Sequence, residues 1–157
     1  MQKITPFLWY DDNAEEAVNF YTSIFKDSSI GEISRYNEIS GKAAGRKPGS
    51  VMTASFKLFG QEFVAINGGP VFKFTEAVSF VVNCKDQDEI DYYWEKLSEG
   101  ADKNAQQCGW LKDKFGLSWQ IVPENLSSLL KDPEKGKRVM GKLMQMKKLV
   151  IKDLENA

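Results

Sequence analysis

The order of the predicted elements repeats along the chain, and this repeat constrains the fold more than any other feature. Residues 3–67 and residues 77–122 each predict a strand, a helix and then three strands. The repeat lies in topology more than in sequence. We therefore predict one α+β domain over all 157 residues, with module one over residues 1–70, module two over residues 76–123 and a helical C-terminal tail over residues 124–157.

The first module has clear hydrophobic periodicity. Its predicted strands cover residues 3–10, 29–36, 51–58 and 61–67, and its predicted helix covers residues 14–25. The buried stripe of this helix comprises Ala17, Val18, Tyr21, Ile24 and Phe25. Asp11, Asp12 or Asn13 can cap its N-terminus. Residues 37–49 hold three glycines and a proline among several charges, so we predict a mobile loop there.

The second module and the tail give weaker boundaries. We predict a strand at residues 77–83, a helix at 86–98, a short strand at 102–106, and tail helices at 124–130 and 133–148. The last of these helices carries Val139, Met140, Leu143 and Met144 among many lysines. Its apolar stripe is more consistent with packing on the body or on a second subunit than with binding nucleic acid or a membrane.

Residues 108–123 predict a β-hairpin. Asp113 can accept hydrogen bonds at the first turn position, and Gly116 can supply the positive φ that closes the turn. After the turn the residues alternate between two faces, with Ser118, Gln120 and Val122 on one and Trp119 and Ile121 on the other. We expect Trp119 to face a packed core and Ser118 and Gln120 to face a polar-lined hollow or water.

Composition excludes several classes of function. The chain contains no histidine, which excludes catalytic sites built on histidine and ordinary histidine-containing zinc or iron sites. The net charge of −1 gives the whole chain no bias toward nucleic acid. No apolar run reaches the roughly 18 residues that span a bilayer, and no secretory signal is evident. With two cysteines, Cys84 and Cys108, that match no zinc pattern, we expect a cytoplasmic protein.

Several sequence strings together resemble one family. They are Pro6 to Trp9, Asn13 to Ala17, Phe20-Tyr21, Asn67 to Pro70, Ala77 to Phe80, Gly109 to Gly116 and Ser118 to Gln120. Over roughly residues 3–150 the chain resembles PhnB-like members of the glyoxalase/bleomycin-resistance/dioxygenase superfamily, also called vicinal oxygen chelate. Many such sequences carry the label 3-demethylubiquinone-9 3-methyltransferase. The chain has no glycine-rich turn opening a helix, which a Rossmann-type methyltransferase requires.

The resemblance implies paired βαβββ modules whose curled mixed sheets surround a cavity. In metal-using relatives the ligands lie on the first and last strands of each module. Those positions fall near Thr5, Asn67 (or Ala65), Ala77 and Gln120, and none of them is a histidine or a carboxylate. Neutral oxygens hold a divalent ion poorly. We therefore expect the cavity without the metal, and no other cofactor.

The cavity gives our predicted ligand-binding residues, which are Thr5, Phe7, Trp9, Asn67, Trp110, Ser118 and Gln120. Thr5, Phe7 and Trp9 share a face of the first strand. We expect the indoles of Trp9 and Trp110 to hold a planar small molecule while neutral amides orient it. The alternative is that the aromatic residues are core and the polar residues face water.

Three functions are consistent with the sequence. The first is a metal-free protein that binds an unknown small molecule, or an enzyme whose reaction and catalytic residues the sequence does not identify. The second is a metal-dependent enzyme of the same superfamily with unusual ligands. The third is a regulatory binding protein that uses the basic C-terminal helix. In each case we expect a homodimer, with the hairpin and the C-terminal helix near the interface, because the edges of the sheets need cover.

Overall fold

The computed structural model describes residues 2–157, which form two compact units. The first unit ends at Lys73, and the second runs from Phe74 to Ala157. Within the described residues, no helix is long and apolar enough to cross a membrane. The chain has mixed α and β structure with a separate sheet in each unit, as the α+β prediction requires.

The first unit is a four-stranded sheet with two helices. Its elements are β1 (Phe7–Tyr10), α1 (Ala14–Ile24), β2 (Ser29–Arg35), α2 (Glu38–Ala44), β3 (Val51–Leu58) and β4 (Gln61–Asn67). The strand order is β1-β4-β3-β2, with β1 parallel to β4 and the other neighbours antiparallel. Strands β3 and β4 have the predicted bounds, whereas β1 begins four residues later than predicted.

Helix α1 packs on one face of this sheet, as its periodicity predicts. All five residues of the predicted stripe are buried. The ring of Tyr21 stacks on Phe56 of β3 with the centroids 6.3 Å apart. Phe56 in turn stacks on Phe63 of β4 at 5.2 Å. The buried residues of β3 and β4 therefore face α1 and form the core of the first unit.

The prediction of a loop at residues 37–49 is wrong, because α2 lies within it. Asn37 caps this helix: its side chain accepts a hydrogen bond from the backbone N–H of Ser40 at 2.8 Å, and the Ser40 hydroxyl accepts one from the Asn37 backbone N–H at 3.0 Å. Gly45 ends the helix with a φ of 65°. Arg46 then binds the backbone carbonyl and the carboxylate of Asp11. These short-range caps offset the low helix propensity that favoured a loop.

The second unit contains a three-stranded sheet and a helical tail. Its elements are β5 (Ser79–Cys84), α3 (Gln87–Leu97), β6 (Trp110–Lys112), β7 (Ser118–Pro123), α4 (Leu126–Lys131), α5 (Pro133–Leu143) and α6 (Ile151–Glu155). The strand order is β5-β7-β6, with β5 parallel and β6 antiparallel to β7. Ile90, Tyr93 and Leu97 of α3 are buried, and so are Val82, Leu111 and Ile121 in the sheet.

The predicted strand at residues 102–106 is wrong. A 3₁₀ turn occupies Lys103–Ala105, and the side chain of Asp102 accepts a hydrogen bond from the Asn104 backbone N–H at 2.9 Å. This local bond favours a turn over an extended strand. Only Gln107 pairs with Trp110 as an isolated bridge, so the described part of the second unit has three strands where we expected four.

The tail differs from prediction at its end, since α5 stops at Leu143 and α6 follows. The carbonyls of Met146 and Lys147 accept hydrogen bonds from the backbone N–H groups of Cys108 and Gly109, both at 2.8 Å. These bonds hold the backbone beyond α5 against the hairpin and prevent the helix from continuing. Apolar residues of the tail close over the end of β7 in a buried cluster of Val122, Val139, Leu143, Leu149 and Leu154.

Candidate functional site

The first sheet has a second face, opposite α1, which we call the open face. Strand pairing places Trp9, Ile66 and Thr53 in one row across it, and Phe7, Val64 and Ser55 in the next. Most of these side chains are half-buried, and Phe7 is 58% exposed. The face therefore combines apolar side chains from β1 and β4 with hydroxyls from β3.

A pocket of about 280 Å³ lies on the open face. Among its lining residues are Thr5, Ser29, Gly31, Ser55, Lys57, Glu62 and Val64. Thr5 is a predicted site residue, whereas Lys57 and Glu62 were missed. The alternation of β3 and β4 contains the signal that could have found them, since residues 55, 57, 62 and 64 share one face.

Two features shape the polar part of this pocket. The Lys57 ammonium lies 3.4 Å from a Glu62 carboxylate oxygen, so the pocket contains a neutralised charge pair rather than a single charge. Ser55 donates its hydroxyl to the Glu32 carbonyl at 3.2 Å. A Cβ at Gly31 would lie 2.5 Å from the Ser55 hydroxyl oxygen, so glycine at this position leaves room for that hydroxyl.

Trp9 is held in a fixed orientation on the open face. Its indole N–H donates to the Gly69 carbonyl at 2.8 Å, and Phe72 meets the ring edge-on at a centroid distance of 5.0 Å. Gly68 lies directly against the ring, where any side chain would collide with it. The stretch from Asn67 to Pro70 thus provides the Gly69 carbonyl as the hydrogen-bond acceptor for the indole and Gly68 as the residue that packs against the ring. Thr5, Phe7 and Trp9 lie together on this side of the sheet.

Asn67 does not lie on the open face with Thr5, Phe7 and Trp9. Its side chain is buried on the α1 side, where the amide oxygen accepts a hydrogen bond from the Ala14 backbone N–H at 2.8 Å. The amide nitrogen donates to the Val51 carbonyl at 3.2 Å. We expected the Asn67 amide to lie at the rim of a cavity. We also expected a residue among 11–13 to cap the N-terminus of α1. Instead, Asn13 makes no side-chain cap bond, and Asn67 binds the first turn of the helix from across the sheet.

In the second unit, three predicted site residues share one face of the sheet. Trp110 pairs with Gln120 across β6 and β7, and Lys112 pairs with Ser118. Gln120 donates to the Ser79 hydroxyl at 2.9 Å. The Ser118 hydroxyl is buried and has no hydrogen-bond partner among residues 2–157. Lys112 forms an ion pair with Glu76. The Lys112 ammonium also donates a hydrogen bond to the Glu76 carboxylate, and this bond lowers the pKa of the Glu76 carboxyl.

The hairpin turn follows its prediction closely. One carboxylate oxygen of Asp113 accepts hydrogen bonds from the backbone N–H groups of Phe115 and Leu117 at 2.9 and 3.0 Å. The other accepts the indole N–H of Trp119 at 2.9 Å. Gly116 has a φ of 87°. Trp119 is buried and Trp110 is half-buried on the other face, as the alternation of the strand predicts.

Both cysteines are free thiols. Cys84 is buried beneath α3, and this burial, together with the nearby charges of Glu89 and Asp86, raises the pKa of its thiol to about 12. Cys108 is half-buried beside the tail cluster and has a φ of 56°. A thiol whose pKa is raised in this way stays protonated near neutral pH, so Cys84 is not an activated nucleophile.

The side chains at the superfamily's metal-ligand positions do not fit a divalent cation. Ala77 has no donor, the Asn67 oxygen is bound to α1, and Thr5 and Gln120 offer only neutral oxygens. Within residues 2–157 no group of three or more histidine, cysteine, aspartate or glutamate side chains could hold a metal ion. These side chains therefore do not form a site for a catalytic divalent cation.

Comparison with known proteins identifies relatives for most of the chain. A family model described as 3-demethylubiquinone-9 3-methyltransferase matches residues 2–122. A PhnB protein from Bacillus cereus with the same methyltransferase label is 42% identical, with a TM-score of 0.65, over 77% of this chain and 99% of that chain. None of the curated proteins matches the chain.

Two more distant structures share the fold. Protein PA1353 from Pseudomonas aeruginosa is 17% identical over 78% of this chain and 98% of its own, with a TM-score of 0.59. The fosfomycin resistance protein FosX from Listeria monocytogenes is 17% identical over 83% of this chain and 98% of its own, with a TM-score of 0.56. The glyoxalase-like fold predicted from the resemblance is thereby confirmed.

Proposed function

The chain belongs to the 3-demethylubiquinone-9 3-methyltransferase family of PhnB-like proteins, and on this premise we propose that it binds a small molecule on the open face of β1–β4 without a metal ion. The pocket of about 280 Å³ on that face carries the proposal. Apolar walls with a few polar groups are typical of small-molecule sites, and pockets of this size fit a small ligand.

The side chains around the pocket indicate which chemical groups the ligand carries. In the lining of the pocket Val64 provides apolar contact, while Thr5 and Ser55 provide hydroxyls. Phe7 pairs with Val64 on the open face and can extend that apolar contact. The Lys57–Glu62 pair can bind a polar substituent that carries both a donor and an acceptor. We therefore propose a ligand of mixed polarity with an apolar or aromatic part. Trp110, Ser118 and Gln120 form a second candidate binding face, in the second unit.

We propose binding as the function and assign no catalytic residue. The name of the family describes methyl transfer, but the sequence contains no glycine-rich turn of the kind that holds a methyl-donor nucleotide in Rossmann-type enzymes. The two free thiols support a cytoplasmic location, where cysteines stay reduced.

A thermal-shift screen of small molecules, repeated on two variants, tests the proposal. Ser55→Leu fills the pocket, whereas Thr53→Leu makes the same kind of change on the same strand and face, outside the pocket lining. We expect a hit to raise the melting temperature of the native protein and of Thr53→Leu but not of Ser55→Leu, because only a ligand that binds the folded state stabilises it. A hit that stabilises all three equally, or no hit at all, would contradict the proposal.

A further inference from the structure

One face of the second sheet carries two rows of side chains that run across the strands. Strand pairing places Ser79, Ser118 and Lys112 in the first row and Val81, Gln120 and Trp110 in the second. Because the rows are two residues apart along each strand, both point to the same side of the sheet, at a separation of about 7 Å. We call the surface formed by these six residues the second face. Its first row is polar, whereas its second row combines an amide with apolar side chains.

The hydroxyl of Ser118 is the unusual group on the second face. Ser118 is only 1% exposed, and its oxygen has no hydrogen-bond partner among residues 2–157. Buried polar side chains are normally hydrogen-bonded, because an unsatisfied one loses its contact with water and gains nothing in return. In the same row, the Ser79 hydroxyl already accepts a hydrogen bond from the Gln120 amide at 2.9 Å. The Ser118 hydroxyl therefore keeps an unused donor in the row that it shares with Lys112.

Lys112 contributes a positive charge to the first row, and a carboxylate from outside the sheet is bound to it. The Lys112 ammonium forms an ion pair with Glu76, whose side chain is 64% exposed. Glu76 lies in the turn from Thr75 to Val78, which precedes β5. An ion pair as exposed as this one contributes little to stability. The Glu76 carboxylate can therefore leave Lys112 without disturbing the pairing of the strands.

The contact with Glu76 indicates which chemical group the second face accepts. Each oxygen of a carboxylate can accept hydrogen bonds, and an ammonium beside a hydroxyl offers two separate donors to it. Glu76 binds Lys112 but leaves the Ser118 hydroxyl without a partner. A carboxylate that is not tethered to the turn can bind both donors. The two donors thus form an anion site that the chain's own carboxylate fills only in part.

The second row indicates what the rest of such a ligand carries. Trp110 is half-buried and Val81 is 49% exposed, so both leave apolar surface uncovered on either side of Gln120. An indole ring offers a flat contact that favours another planar ring. Because this surface lies about 7 Å from the polar row, one small molecule can contact both rows. A carboxylate attached directly to an aromatic ring satisfies both requirements.

We propose that the second face binds a small aromatic carboxylate and that Glu76 occupies the anion site when the ligand is absent. The carboxylate of the ligand replaces Glu76 at Lys112 and accepts a hydrogen bond from the Ser118 hydroxyl. The ring lies along the second row, against Trp110 and Val81. This site deepens the second candidate binding face of the proposed function, so it rests on that face and not on the pocket of the first unit.

The charges of the site favour a carboxylate over a phosphate or a polyanion. The single ammonium of Lys112 matches one negative charge. After its displacement, Glu76 stays on the adjacent turn, where it repels any additional negative charge. The second face therefore selects a monoanion, and the apolar second row selects one that carries a ring.

Titration with benzoate tests this site, with benzyl alcohol as a neutral ligand of similar shape. Ligands of this size are expected to bind with a Kd in the millimolar range, so each is added up to about 20 mM at constant ionic strength. The backbone amide signals of the isotope-labelled full chain are followed by NMR. We expect saturable shifts at Trp110, Lys112 and Gln120 with benzoate, and much smaller shifts with benzyl alcohol.

Variants then assign the binding to individual side chains. Lys112→Met should raise the Kd for benzoate about tenfold or more, because a hydrogen bond to a charged group is lost. Ser118→Ala should raise the Kd about fivefold. It should not lower the melting temperature, because the native hydroxyl has no partner to lose. Glu76→Gln should lower the Kd about two- to fivefold, because the competing charge is removed.

Lys85→Met is the matched control for these variants. It removes another exposed lysine of the second unit that forms ion pairs with nearby carboxylates, those of Asp86 and Glu89. Because Lys85 lies outside the second face, we expect an unchanged Kd for benzoate. Circular dichroism verifies that every variant is folded.

Several outcomes of the titration would overturn the proposal. They are the absence of saturable shifts on the second face, equal responses to benzoate and benzyl alcohol, and a Kd that neither Lys112→Met nor Glu76→Gln changes. Shifts confined to Ser55, Lys57 and Glu62 would also overturn it, because they would assign benzoate to the pocket of the first unit. That last result would support binding at the first unit, so failure of the second face is distinguishable from failure of the pocket.

Discussion

Asp113 shows how much a single side chain can determine at the scale of one residue. Its carboxylate binds two backbone N–H groups of the turn and the indole of Trp119, so it fixes both the turn and the packing of the following strand. The turn could be predicted because its parts lie within a few residues of one another. The bond to the indole could not, because it depends on a side-chain orientation set by the core.

The two tryptophans of the hairpin are expected to respond differently to truncation. Trp119→Ala removes a buried ring and leaves the Asp113 carboxylate without one partner, so we expect a loss of about 3–5 kcal/mol in the free energy of unfolding. Trp110→Ala removes a half-buried ring from the other face and should cost clearly less. Urea unfolding of both variants measures this difference. Equal losses in the free energy of unfolding would contradict the assignment of Trp119 to the core and of Trp110 to the opposite face of the sheet.

The two cysteines give a second prediction at this scale. Burial raises the pKa of Cys84 to about 12, so its thiol stays protonated, and therefore unreactive, at pH 8. We expect a thiol reagent to modify Cys108 in the native protein and Cys84 only after unfolding in denaturant. Mass spectrometry of the modified peptides identifies the residue. Rapid labelling of Cys84 in the native protein would show that the thiol is not enclosed.

Asn67 shows what a sequence leaves out. Its pairing with Ala14 spans 53 residues, and no local pattern distinguishes an amide that binds a helix end from one that faces a ligand. The pairing of β1 with β4 decides the orientation, since Asn67 pairs with Tyr10 and therefore lies on the buried side rather than with Trp9.

At the scale of elements, long periodic segments were predicted well and short ones poorly. The helix α1 and the strands β3 and β4 carry enough periodic residues to determine their type and bounds. The helix α2 has only seven residues, and its stability depends on the Asn37 cap and on Arg46 rather than on an apolar face. The turn at residues 103–105 likewise depends on one side-chain bond.

The attachment of the tail to α3 should depend on pH. Hydrogen bonds from Lys148 and then from Gln87 lower the pKa of Asp91 below its ordinary value of 3.8. A carboxyl whose pKa is lowered by folding stabilises the attachment above its ordinary pKa, and this contribution disappears as the pH falls through the lowered value. We expect the amide hydrogens of residues 146–151 to exchange more readily at pH 3 than at pH 6, after correction for the intrinsic rates.

Lys148→Ala provides the control for that experiment. It removes the principal cause of the pKa shift, so its tail should exchange faster at pH 6 and should change less between the two pH values. Hydrogen-exchange mass spectrometry at both values measures this. If the variant and the native protein respond identically to pH, Asp91 does not contribute to the attachment.

For the whole molecule, the sequence predicted the family and the fold, because several separate strings resemble the same relatives. It did not predict how the tail is held, since those bonds connect residues that are about 40 to 60 positions apart. The pocket was predicted only in part. Thr5 belongs to it, while Lys57 and Glu62 enter through the pairing of β3 and β4.

The residues at the superfamily's metal-ligand positions lead to a prediction about the metal content of the protein. None of the superfamily's ligand positions holds a histidine or a carboxylate, so we expect no stoichiometric transition metal in the purified protein. Elemental analysis by mass spectrometry measures this, and treatment with a chelator should leave the melting temperature unchanged. About one zinc, nickel, iron or manganese ion per chain would contradict the prediction and favour the metal-dependent alternative.

Chemical-shift mapping is the sharpest test of the claim that the open face of β1–β4 binds a small molecule. A hit from the thermal-shift screen is titrated into isotope-labelled protein, and the backbone amide signals are followed by NMR. We predict that the largest saturable shifts occur around the pocket, at Ser55, Lys57, Glu62 and Val64. Shifts that are confined to the α1 side of the sheet, or to the tail, would contradict the claim.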